Sequence, residues 1–209
     1  MIGLLHGYAP LAPIAFVGVS AAVAVRLLLL ARSTRQLPEL LLGGGVLGTA
    51  VLGYGVLIAG SILRGVDVPT TEAMAPRALQ ALGQSLHDLG VTLILTFIVV
   101  VFRPHERWAK RLAIAMSASL WIGQLGWELQ NQFRSAQIGD GFWWLRYAVI
   151  WTYSLWTMIE SYRYYALMRR RCAIGLAEPL VANRFFLWGT GAIGTSLATW
   201  TSSASLFLV

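Results

Sequence analysis

Six apolar stretches, each about 20 residues or longer, dominate this sequence and leave it few ways to fold. They run at about 8–30, 38–63, 78–102, 108–129, 141–168 and 184–209. About 20 apolar residues cover the ~30 Å hydrocarbon layer as a helix. Only 12% of the 209 residues are charged, about half the share usual in a soluble domain. A soluble domain of this size still leaves roughly 30% of its chain surface in water. A chain that is 57% apolar or aromatic cannot fill such a surface with polar groups, so a soluble globular domain, a disordered chain and a disulfide scaffold are excluded. Alternating ten-residue strands of a membrane barrel are absent. The expected fold is therefore all-α: a polytopic integral membrane protein, one six-transmembrane-helix bundle over residues 1–209.

The formal charge of +7 suggests nucleic acid only until its positions are read. Arg26, Arg32 and Arg35 flank the first connection, and Arg103, Arg107, Lys110 and Arg111 the third. Arg163, Arg169, Arg170, Arg171 and Arg184 flank the fifth. Arg64, Arg77 and Arg134 fall on the other side. Positive charge collects on the cytoplasmic side of spanning helices, which places both the N-terminus and the C-terminus outside. No basic region precedes the first apolar stretch, so it is expected to be retained rather than cleaved. Arg far exceeds Lys among the 16 basic residues, which points to a bacterial inner (plasma) membrane. The lipid bilayer is then the main partner, and nucleic acid is not expected.

Polar groups in a membrane face the bundle or a watery cavity. Gln84, His87 and Asp88 share one face of the third span. Trp121, Gln124 and Glu128 share one face of the fourth. Arg146 sits inside the fifth, beside Tyr147 and Trp151. His87, Glu128 and Arg146 lie roughly 22–25 Å from the cytoplasmic ends of their helices, at one level near the outer surface. Two readings stay open. Asp88 or Glu128 pairs with Arg146 as a structural salt bridge, or the level is a ligand-binding site with aromatic walls from Tyr147, Trp151 and Trp121. Two carboxylates favour a cation and Arg146 an anionic group; the residues alone do not choose. Glu160 and Arg163 read as an interfacial pair three residues apart.

Glycine marks close helix packing in lipid. Gly44 and Gly48 form a GxxxG pair, and Gly55 falls on the same face of a regular helix two turns on. They pack within the bundle or form a homo-oligomer interface. Phe142, Trp143 and Trp144 at one end of the fifth span, and Tyr162, Tyr164 and Tyr165 at the other, read as interfacial belts.

Several chemistries lack their residues. The only lysine, Lys110, is at a helix edge, so a retinal-type Schiff base is not expected. His87 and Asp88 leave the helix about 100° apart and make a poor metal-ligand pair. No GxSxG, Walker or CxxC pattern occurs. No enzyme activity, metal or cofactor is expected. The expected function is membrane transport, by a channel or carrier with an outward-facing polar and aromatic site for an ion or small molecule. A sensor or receptor without its own output domain, contacting a cytoplasmic protein through loops 103–111 and 169–184, is the alternative. A structural accessory subunit of a membrane complex is the third.

Overall fold

The computed structural model describes residues 11–65, 74–131 and 140–205. Arg134 and the terminal segments lie outside the described residues, as do the side chains of Arg64 and Arg77. Six helices account for nearly all of the described chain, and no strand occurs among the described residues. They are α1 (Leu11–Thr34), α2 (37–65), α3 (Met74–Phe102), α4 (Arg107–Asn131), α5 (Gly141–Ala173) and α6 (Pro179–Ser205). Three are long and apolar enough to cross a membrane by length and composition: Ile14–Thr34, Leu37–Gly60 and Ala78–Phe102. α4, α5 and α6 carry more polar residues.

The helix ends follow local chemistry. Pro38 stands in the first turn of α2, where its missing N–H costs nothing. α3 stops before Pro104, and α4 begins after a four-residue turn. Asp140 caps α5, its Oδ1 accepting from the Phe142 N–H at 2.9 Å. α5 continues past its apolar run through Arg169–Arg171. It ends at Gly175, whose φ of 72° reverses the chain while Leu176 N donates back to Arg171 O.

Each helix packs against its sequence neighbour, and α5 also touches α3. The core gathers on α3, where Val91, Leu95, Phe97 and Ile98 are fully covered, with Leu120 of α4 and Ile150 of α5. α1 is the opposite case. Its Val19, Val25 and Leu29 are exposed apolar side chains, suited to lipid.

The α2–α3 contact departs from a regular helix. Residues Leu47–Gly53 of α2 form a π-helical segment with a wider i→i+5 turn. The extra width rotates the following residues, so Gly53, rather than Gly55, continues the face that meets α3. A Cβ on Gly48 would stand 2.9 Å from Gly90 Cα, and one on Gly53 would stand 2.9 Å from His87 Cβ. Gly90 in turn lies against Thr49 N of α2. Gly44 faces Leu93 of α3, whereas Gly55 faces open space. Gly44 and Gly48 are thus occupied inside the chain, and the expected shared face with Gly55 is broken by the π segment.

Candidate functional site

The tight α2–α3 seam brings Tyr54 of α2 over the His87 ring, edge to face at 5.9 Å. One residue on, the Asp88 side chain is fully buried and meets Arg146 of α5. Arg146 Nε donates to Asp88 Oδ2 at 2.8 Å, and Arg146 Nη2 donates to Oδ1 at 2.6 Å. This two-point geometry is the strong form of an ion pair. His87 Nδ1 stands 3.0 Å from Asp88 Oδ1 and 3.4 Å from Arg146 Nη2. A carboxylate paired with arginine only accepts, so Nδ1 carries the proton and donates to Asp88. His87 and Asp88 were expected to diverge because their Cα–Cβ bonds do. Their side chains are long enough to curl together, and Asp88 becomes the acceptor for both neighbours.

The second half of the site is on α4. Gln124 is fully buried, and its Nε2 donates to Oε1 of Glu128 one turn away. Among the described residues, Gln124 Oε1 is buried with no hydrogen-bond partner. Glu128 is half-buried and lies within electrostatic reach of Asp88 and Arg146. Glycines bring α4 and α5 this close: a Cβ on Gly123 would stand 3.0 Å from Phe142 O and 3.2 Å from Arg146 Cβ. Gly126 is covered by the Phe142 ring.

The remaining expected residues divide. Tyr147 is half-buried and stacks on Trp143, with ring centroids 4.0 Å apart. Trp151 continues this ladder one turn further, 6.3 Å from Tyr147. Trp121 instead donates from Nε1 to Thr92 Oγ1 at 3.3 Å, which ties α4 to α3. Gln84 is half-buried one turn along α3 from Asp88 and makes no bond to the pair. Trp143 is 6% exposed and packs inside rather than serving in a belt, because the α5 face that carries Tyr147 and Trp151 is turned inward. Tyr164 likewise donates from its hydroxyl to Phe102 O at 3.1 Å.

The sequence reading missed one link of a second polar group, that between Arg103 and Glu160. Glu160 is 3% exposed, and its Oε1 accepts from Arg103 Nε at 2.8 Å, while Arg163 is 3.8 Å away. The expected pairing with Arg163 is the weaker of the two. Arg103 joins α5 to the turn after α3, and its guanidinium lies 5.7 Å over the Trp108 ring. The hydrogen bond to Glu160 raises the Arg103 pKa above its ordinary value, so this cation keeps its charge. The signal was present in the numbering: Asp88 to Arg146 spans 58 residues and Arg103 to Glu160 spans 57. One pair, once assumed, implies the other. No protein-family model, no curated protein and no solved structure matches this chain.

Proposed function

We propose that this chain is a membrane transport protein, a channel or carrier, with a solute site at its outer face. On this reading all six helices cross the bilayer and both termini are outside. α4, α5 and α6 have 25, 33 and 27 residues, or about 37–50 Å at 1.5 Å per residue, enough to span. Their lower hydropathy fits this reading, because Gln124, Arg146, Ser154 and Glu160 are turned into the protein rather than toward lipid. The charge bias supports the orientation, and Arg-rich composition supports a bacterial inner membrane. Of the three glycines expected at a homo-oligomer interface, Gly44, Gly48 and Gly55, Gly55 faces open space and is free for such a contact.

The observation that carries the reading is the buried Asp88–Arg146 pair with His87, Gln124 and Glu128 beside it. Three helices place ionisable groups together where burial is costly, and such groups commonly mark solute pathways. Purified protein in liposomes should move an ion or small solute, with D88N, R146Q and E128Q each altering the flux. Unchanged flux in all three variants would remove the site from the pathway.

The sensor reading draws on one feature. Ile174, Leu176 and Leu180 are exposed beside Arg169–Arg171, giving an apolar and basic surface on the α5–α6 turn. A cytoplasmic protein that copurifies, and is lost when the three arginines become glutamine, would favour it.

A further inference from the structure

The geometry points to the charge and kind of the solute. We propose that the site binds a primary ammonium group, seated between the Glu128 carboxylate and Gln124 Oε1. This rests on reading the level as an external solute site. Arg146 is already engaged: Nε and Nη2 both donate to Asp88, and only 5% of the residue is exposed. An anionic solute would have to displace Asp88 and leave that carboxylate buried and unpaired. The Asp88–Arg146 pair is neutral as a unit, so Glu128 carries the charge left over. Among the described residues Glu128 enters no ion pair.

Gln124 adds an independent observation. Its amide is fully buried, its N–H side is used by Glu128, and its oxygen has no donor among the described residues. Buried acceptors are nearly always satisfied. The missing donor belongs beside a carboxylate, where a positively charged N–H group satisfies both needs. A divalent metal is a poorer match, since it takes about six oxygens, and no group of three His, Cys, Asp or Glu gathers among the described residues. An ammonium has three N–H donors, two for these oxygens and one for water. Phe142, packed on Gly126 between the two acceptors in sequence, adds aromatic surface that a cation tolerates well.

Methylammonium chloride titrated into the intact protein in lipid nanodiscs, followed by calorimetry, tests this. Saturable binding is expected, weakened at least tenfold in E128Q and in Q124L. Tetramethylammonium has the same charge and no N–H donor, and should bind at least tenfold more weakly. E128D, which keeps the charge, should retain more affinity than E128Q. Circular dichroism of each variant checks that it is folded. Absent methylammonium binding, equal binding of tetramethylammonium, preferred binding of acetate, or unchanged affinity in folded E128Q or Q124L overturns the inference. Methylammonium binding without flux of any solute overturns the transport reading alone. Flux that D88N abolishes, without methylammonium binding, overturns this inference alone.

Discussion

Arg146 holds Asp88 from 58 residues away through two hydrogen bonds of 2.8 and 2.6 Å, deep between α3 and α5. Arg103 holds Glu160 across almost the same interval, 57 residues. Equal offsets mean that α3 and α5 run parallel, in one register, with α4 returning between them. The two links stand roughly 21–22 Å apart along the helices. An apolar layer of Leu95, Ile98, Leu120 and Ile150 lies between them. Each link blocks sliding of α5 along α3, and together they block rotation.

Breaking one partner of the Asp88–Arg146 link leaves a buried charge. D88N and R146Q should each destabilise the protein by about 3–5 kcal/mol. The double variant D88N/R146Q should be more stable than the sum of the two losses implies, because no isolated charge remains. Unfolding in mixed micelles measures all three, and strict additivity would contradict the coupling.

At the Arg103–Glu160 link the two partners differ in access to water. The Glu160 side chain is 3% exposed and that of Arg103 20%. R103Q strands a buried carboxylate with only Arg163 nearby, whereas E160Q leaves Arg103 free to turn outward. R103Q should therefore cost more, about 2–3 kcal/mol against about 1 kcal/mol for E160Q. The reverse order in the same assay would disprove this account.

The seam of α2 and α3 tolerates no side chain at its centre. G48V and G90V should each cost at least about 1–3 kcal/mol through overpacking. G55V, at an open position, should pay mainly in backbone and rotamer terms and stay well below either. If G55V instead changes the oligomeric state in light scattering, Gly55 lies in a contact between copies.

Trp121 donates to Thr92, which commits its N–H to holding α4 against α3. W121F should lose about 1 kcal/mol with the hydrogen bond and keep full solute flux. T92V should lose a similar amount, and W121F/T92V little more than either alone. Loss of flux in W121F at unchanged stability would return Trp121 to the site wall.

Cys172 is the single cysteine and lies at the basic end of α5, partly accessible. An impermeant maleimide should label it in inverted membrane vesicles and not in intact cells. Labelling from the cell exterior would reverse the proposed orientation.

Much of the fold was legible in residue order. Apolar runs located the helices to within a few residues, and ends moved where a helix outlasted its apolar run. α5 continues through Arg169–Arg171 because these exposed charged side chains reach water while the backbone stays helical. The site was partly legible. Spacing placed Asp88, Gln124, Glu128 and Arg146 on the right faces, since ionisable residues inside apolar runs are conspicuous. Periodicity assumed a regular helix, and the π segment of α2 defeated it at Gly55. Nothing local marked Gly53 or Gly90 as contact points, because a close approach needs both helices to be specified.

By itself the sequence determined that the chain is helical, with helices long and apolar enough to cross a membrane. It also placed the polar groups at one level along neighbouring helices, since that level follows from counting residues along a helix. Which of those groups satisfy one another was decided only in three dimensions. Asp88 could have met any of several basic residues, and Glu160 had Arg163 three places away. Packing chose Arg146 and Arg103 because the glycine seam and the parallel α3–α5 register leave those guanidinium groups within bonding distance. That choice neutralised Arg146, and it left Glu128 outside any ion pair among the described residues.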